Sequence, residues 1–67
     1  MEAVRWVAYI KLYEGEVYFI GPHGRLVEDK QNAVCHEEGK HLYNQIKQWQ
    51  PELHFYITPI TVNIKEH

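Results

Sequence analysis

The sequence predicts an α+β fold, in which a three-stranded antiparallel sheet with β-β-α-β chain order carries one helix on one face. Three observations predict this fold. Two segments have apolar residues at every second position, a helical stripe of apolar residues follows them, and a third alternating segment ends the chain. The 67 residues are enough for one small domain, residues 1–67. Because the helix is a crossover between strands two and three, we expect the strand order 2-1-3.

The first strand is predicted over residues 4–13, VRWVAYIKLY, where β-branched and aromatic residues alternate with a period of two. The side chains expected to pack under the helix are Val4, Trp6, Ala8, Ile10 and Leu12. The side chains expected on the other face are Arg5, Val7, Tyr9, Lys11 and Tyr13. This long strand is therefore expected at the centre of the sheet.

A tight turn at Glu14-Gly15 is predicted to lead into strand two, which spans residues 16–20. Gly15 can supply the positive φ that such a turn needs. The sequence Gly-Pro-His-Gly at 21–24 breaks the strand, and residues 25–27 are expected to extend strand two beyond that kink. Residues 28–32 are polar and predicted to form a turn.

The helix is predicted to begin near His36 or Glu37 and to end near Gln50, just before Pro51. Its apolar stripe has spacings of 3, 4 and 3 residues and comprises Gly39, Leu42, Ile46 and Trp49. A glycine on the buried stripe indicates a close approach of helix and sheet. The apolar residues 33–35 before the helix are expected to lie under the sheet edge.

The last strand carries two apolar triplets of opposite parity, residues 53, 55 and 57 and residues 60, 62 and 64. A continuous strand would point these triplets to opposite faces. We expect a bulge or bend at Pro59, which cannot donate a ladder hydrogen bond. The alternative is a separate strand over residues 60–64, which could pair with another subunit.

The composition indicates a folded, soluble, cytoplasmic protein. The apolar fraction is 45% and the net charge is −2, so no overall basic field attracts nucleic acid. The N-terminus lacks the pattern of a signal peptide, and no run approaches a membrane span. Cys35 is the only cysteine, which excludes an intrachain disulfide and fits a reducing compartment. A domain this small often gains stability from self-association, so a homodimer is one expectation.

The sequence predicts no catalytic site, no cofactor and no metal site. There is no serine nucleophile, and Cys35 is interpreted as a small buried residue. The one pair with metal-ligand spacing is Glu37 and His41, four residues apart. We interpret this pair as a solvated contact on the polar side of the helix, with metal-dependent activity as a distant alternative.

The uncovered face of the sheet is the predicted site. One helix covers one face, so the other face should display aromatic and apolar side chains, with Tyr18 and Ile20 contributed by strand two. The residues predicted to bind a partner are Arg5, Val7, Tyr9, Lys11, Tyr13, Tyr18, His54 and Tyr56. This composition favours a protein interface, formed with another protein or with a second copy. The alternatives are single-stranded nucleic acid, stacked on the same rings, and a solvated face with no role.

One further pattern runs through residues 18–46. It comprises Tyr18-Phe19-Ile20-Gly21, Gly24-Arg25-Leu26-Val27, Asp29, Ala33, an acidic helix start, Leu42 and Ile46. This pattern resembles proteins encoded by short open reading frames of bacteriophages and mobile elements. The resemblance implies a viral accessory protein of the host cytoplasm, an inhibitor or adaptor that binds a host or defence protein. The predicted function is therefore a small non-enzymatic protein-binding module.

Overall fold

The computed structural model describes residues 1–64, which form five strands, one α-helix and two short 3₁₀ turns. The elements are β1 (Glu2–Lys11), β2 (Val17–Ile20), β3 (Leu26–Val27), β4 (Cys35–His36), α1 (Gly39–Trp49) and β5 (Tyr56–Asn63). The predicted α+β class, with one helix and an antiparallel sheet, is confirmed. The predicted number of three strands was wrong, because β3 and β4 have two residues each, too few for an alternating pattern.

β1 lies at the centre of the sheet. One edge of β1 pairs with β5 along eight residues, and the other edge pairs with β2 at one end and β4 at the other. β3 pairs with the outer edge of β2, and every pairing is antiparallel. The three longest strands therefore have the relation predicted for strands 2, 1 and 3.

The chain reverses direction after β2. A 3₁₀ turn at Pro22–Gly24 closes with a hydrogen bond from Gly21 N to Arg25 O of 2.7 Å, and β3 runs back along β2. The expectation that residues 25–27 extend strand two was therefore wrong. The side-chain Nε2 of Gln50 donates a hydrogen bond to Gly24 O at 3.3 Å, so this turn is attached to the end of the helix.

The helix begins at Gly39, later than predicted, because residues 35–36 pair with β1 as β4. The predicted buried stripe is confirmed, since Leu42 and Ile46 are fully buried. A Cβ atom on Gly39 would lie 2.9 Å from Ile57 Cδ1 and 3.2 Å from Trp6 Cδ2, which confirms the close approach. In the segment 33–35, Val34 packs against the core but Cys35 is exposed. The prediction that Cys35 is buried was therefore wrong.

The core lies between α1 and the facing side of the sheet. Its buried members are Ala8, Ile10, Ile20, Leu42 and Ile46, with partly buried Trp6, Tyr18, Val34, Trp49, Leu53, Phe55 and Ile57 packed around them. Val4 and Leu12, predicted to lie under the helix, are 57% and 42% exposed. An 11-residue helix is about 16 Å long and a ten-residue strand about 33 Å, so α1 cannot cover both ends of β1.

β5 runs without a bulge, contrary to expectation. Its eight residues pair in unbroken register with β1, from Glu2 opposite Asn63 to Tyr9 opposite Tyr56. The two apolar triplets therefore point to opposite faces, Ile57 toward the helix and Ile60 and Val62 away from it. β5 is an edge strand, where a proline is tolerated.

Candidate interaction surface

The side of the sheet opposite α1 is the candidate functional surface, called the open face below. Residues directly paired across strands project to the same side, so the register defines its members. They are Ala3, Arg5, Val7, Tyr9, Lys11, Val17, Phe19, Val27, Cys35, Tyr56, Thr58, Ile60 and Val62.

Three aromatic rings lie side by side across the open face, in one row of directly paired strand residues. The Tyr9 ring lies between the other two, with centroid distances of 6.5 Å to Phe19 and 5.6 Å to Tyr56. Tyr9 and Phe19 are half-buried, whereas Tyr56 is 62% exposed. These rings therefore present an apolar surface that is already ordered by mutual contact.

An aliphatic strip extends from the rings along β5. Ile60 and Val62 lie opposite Arg5 and Ala3 and are half-buried. The sequence prediction missed this strip because it expected a bulge at Pro59, which would have turned these residues toward the core. The change of apolar phase in residues 53–64 was the signal that could have found it.

The cationic charge of the open face is partly compensated. Arg5 Nη2 lies 3.4 Å from Glu37 Oε1, and Arg5 Nη1 donates to Val4 O at 3.0 Å. The Arg5 side chain is only 23% exposed. Lys11, at the other end of the face, is exposed. The surface is therefore mainly aromatic and aliphatic, with Lys11 as its exposed cation.

The structure places four of the predicted partner-binding residues on this face with part of their surface accessible: Arg5, Tyr9, Lys11 and Tyr56. Val7 is also on this face, but it is fully buried between Cys35 and Thr58 of the neighbouring strands. The expectation that Val7 lacks intramolecular cover was therefore wrong.

Tyr18 and Ile20 lie on the opposite face, contrary to prediction. A two-residue turn would pair Tyr18 with Lys11, but Leu12 N bonds Glu16 O at 2.8 Å and the loop has three residues. Tyr18 consequently pairs with Ile10. This one-residue shift in register moves every side chain of β2 to the other side of the sheet, so Tyr18 and Ile20 face the helix. Phe19 takes the place on the open face that was assigned to Tyr18.

Tyr13 and His54 lie outside the strands. Tyr13 is fully exposed in the loop after β1, and His54 is exposed in the segment that precedes β5. Neither belongs to the paired surface of the sheet, so they flank the open face at most.

Glu37 and His41, which the sequence spaces four residues apart, do not form a pair on the helix. Glu37 precedes the helix and contacts Arg5, while His41 Nδ1 lies 3.1 Å from Glu38 Oε2. Within residues 1–64, no group of three or more His, Cys, Asp or Glu side chains is arranged to hold a metal ion.

Comparison with known proteins finds no matching family model, no matching curated protein and no matching solved structure. In the described part of the chain, no helix has the length and apolar character needed to cross a membrane.

Proposed function

We propose that this chain is a small non-enzymatic module that binds a protein partner through the open face. The observation that carries the proposal is Tyr56, which is 62% exposed while its ring packs 5.6 Å from Tyr9. An exposed tyrosine that packs against a second aromatic ring is typical of the residues that contribute most to protein binding. The pre-existing ring contacts lower the entropy lost when a partner binds.

The partner class proposed is a host or defence protein, and the chain would act as an inhibitor or adaptor of phage type in the host cytoplasm. The resemblance of residues 18–46 to phage and mobile-element proteins supports this class. The surface supports protein binding in general, because aromatic and aliphatic side chains dominate it and Arg5 is paired with Glu37.

Single-stranded nucleic acid is the second candidate, and the three rings on a sheet face favour it, since bases stack on such rings. The charge favours protein, because Arg5 is paired with Glu37. Phosphate binding depends on cations, and its affinity falls steeply with salt. We expect no mobility shift of single-stranded DNA or RNA at low salt. A shift that disappears with added salt would favour nucleic acid.

The test of the protein interface compares two matched tyrosine substitutions. Tyr56→Asp removes the exposed ring of the open face, and Tyr43→Asp removes a tyrosine of the helix surface, 44% exposed and 5.2 Å from Phe55. A tagged chain is used to recover a partner from bacterial host lysate, and the affinity of the purified partner is then measured. Tyr56→Asp should weaken it at least about 30-fold, the effect of a central interface residue.

Tyr43→Asp should leave that affinity within about threefold of the original. Far-UV circular dichroism of both variants shows whether the fold is kept. Equal weakening by the two variants, or unfolding of Tyr56→Asp alone, would contradict binding through the open face.

A further inference from the structure

The outer edge of β5 is the second feature that the fold leaves without a neighbour. Within residues 1–64, β5 pairs with β1 only. Its sequence, YITPITVN, has no charged residue over eight positions. Exposed edge strands usually carry charges, bulges or short lengths that prevent pairing with another chain. Pro59 is the only such protection in β5.

The hydrogen bonds show which groups of β5 face outward. Ile64 N donates to Met1 O at 2.8 Å, so this pair is hydrogen-bonded, and hydrogen-bonded pairs alternate along an antiparallel ladder. Leu12 N bonds Glu16 O on the other edge of β1, which fits the same alternation. The β5 residues bonded to β1 are therefore Tyr56, Thr58, Ile60 and Val62. Those with outward N–H and C=O positions are Ile57, Pro59, Thr61 and Asn63.

From this pattern we infer that β5 pairs antiparallel with β5 of a second copy of this chain, about a two-fold axis at Ile60. In this register, Ile57 lies opposite Asn63 of the other copy, and Thr61 lies opposite Pro59. The donors Ile57 N, Thr61 N and Asn63 N then each meet an outward carbonyl, those of Asn63, Pro59 and Ile57 respectively. The missing N–H of Pro59 leaves only Thr61 O without a partner.

Other two-fold registers satisfy fewer groups. With the axis at Pro59 or at Thr61, only two of the three outward donors of each copy find a carbonyl within β5. Shifts of half a step would pair residues of opposite faces, which an antiparallel ladder does not allow. The position of the proline thus selects the register centred on Ile60.

The side chains are compatible with this register. On the open face, Ile60 meets its own copy and Val62 meets Thr58, which are apolar and β-branched pairs with no like charges. The helices contact β5 at Ile57, three residues from the axis, so they lie roughly 20 Å apart along the strand. The two open faces then adjoin as one surface on the same side of the joined sheet.

This inference does not rest on the proposed function, because it depends on backbone groups of the β5 edge. Thr61 and Pro59 belong to the opposite side of the sheet from the open face. A variant at either position therefore tests pairing of the edge without changing the rings proposed to bind a partner.

The first test is molar mass by light scattering over a concentration series. Thr61→Pro removes the outward donor but no bond to β1, and it should raise the dimer Kd roughly tenfold or more, since two hydrogen bonds are lost per dimer. Thr61→Ala keeps the donor and should leave the Kd within about threefold. Pro59→Thr restores the missing donor and should lower the Kd roughly tenfold.

The second test fixes the register by disulfide formation, with Cys35 replaced by serine. Cys residues at position 60 would be a non-hydrogen-bonded pair about 4.5 Å apart at Cα, within disulfide range, so Ile60→Cys should cross-link on oxidation. Cys residues at position 61 would be about 8 Å apart, so Thr61→Cys should not. A monomer at millimolar concentration, cross-linking of Thr61→Cys instead, or a dimer that Tyr56→Asp disrupts and Thr61→Pro does not, would overturn the inference.

Discussion

Tyr18 and Glu16 are two residues apart at the start of β2, and the Tyr18 hydroxyl donates to Glu16 Oε2 at 3.2 Å. The negative charge of Glu16 raises the pKa of Tyr18 above its ordinary value of 10.0, and this hydrogen bond, slight burial and the charge of Glu28 add to the effect. Because the pKa of Tyr18 is higher in the folded state than in the unfolded state, the folded state binds the phenol proton more tightly. The resulting contribution to the free energy of unfolding is fully present below pH 10. That contribution is lost as the pH rises through the folded pKa of Tyr18.

Glu16→Gln should therefore lower the pKa of Tyr18 toward its ordinary value, because it removes the negative charge that raises this pKa most. The measurement is an NMR titration of the tyrosine ring Cζ signals. Glu28→Gln is the matched control, since Glu28 is the smallest of the causes, and it should lower the pKa of Tyr18 less. A larger effect of Glu28→Gln would contradict this assignment.

The contact between Arg5 and Glu37 contributes little to stability. Its distance is 3.4 Å and the Glu37 side chain is 79% exposed, so water and salt screen it, and such pairs contribute at most about 1 kcal/mol. The pair does neutralise one of the cations on the open face.

At the scale of the elements, β5 serves two environments in one strand. Ile57 lies under α1, whereas Ile60 and Val62 lie on the open face, beyond the length that the helix covers. The change of apolar phase at Pro59 therefore marks where the strand passes the end of the helix. Pro59 costs no bond to β1 because its nitrogen faces outward.

Amide hydrogen exchange in the Thr61→Pro variant, measured at a concentration where it is monomeric, should follow this alternation. The amides of Thr58, Ile60 and Val62 donate to β1 and should exchange at least about tenfold more slowly than those of Ile57 and Asn63. In the original chain, at concentrations where it is dimeric, the amides of Ile57 and Asn63 should become protected from exchange as well. Protection of Asn63 with rapid exchange of Ile60 in the variant would mean that the hydrogen-bond alternation is reversed.

The whole molecule has a small core for the length of its sheet. Its principal dimensions are 39 × 25 × 16 Å, and the helix covers only the middle of β1. A chain of 67 residues buries only about 60% of its unfolded surface, which leaves a narrow stability margin. Pairing of two β5 strands would add backbone hydrogen bonds and apolar contacts at an edge that, within residues 1–64, has no neighbouring strand.

The melting temperature should therefore rise with protein concentration, because association stabilises the folded state by mass action. Thr61→Pro should melt at a lower temperature at each concentration, because its dimer is weaker. Differential scanning calorimetry at several concentrations measures both. A melting temperature of the original chain that is independent of concentration would show that self-association does not stabilise the fold.

Several features were predictable because they depend on local chemistry. The positive φ of Gly15 (85°), the stop of the helix before Pro51 and the buried stripe of Leu42 and Ile46 follow from backbone preferences and helical periodicity. The α+β class followed from the same patterns. The aromatic character of the open face was also predictable, through Tyr9 and Tyr56.

The sequence by itself determined the three longer extended segments, the one helix and the presence of aromatic rings on one side of the sheet, because alternation and propensity are local properties. Only the tertiary structure decided that Phe19 and not Tyr18 joins those rings, since that depends on a loop of three residues and not two. It also decided that Val7 is covered by neighbouring strands and that Ile60 and Val62 lie on the open face. These outcomes depend on register and on where the helix ends, which are set by contacts between distant segments.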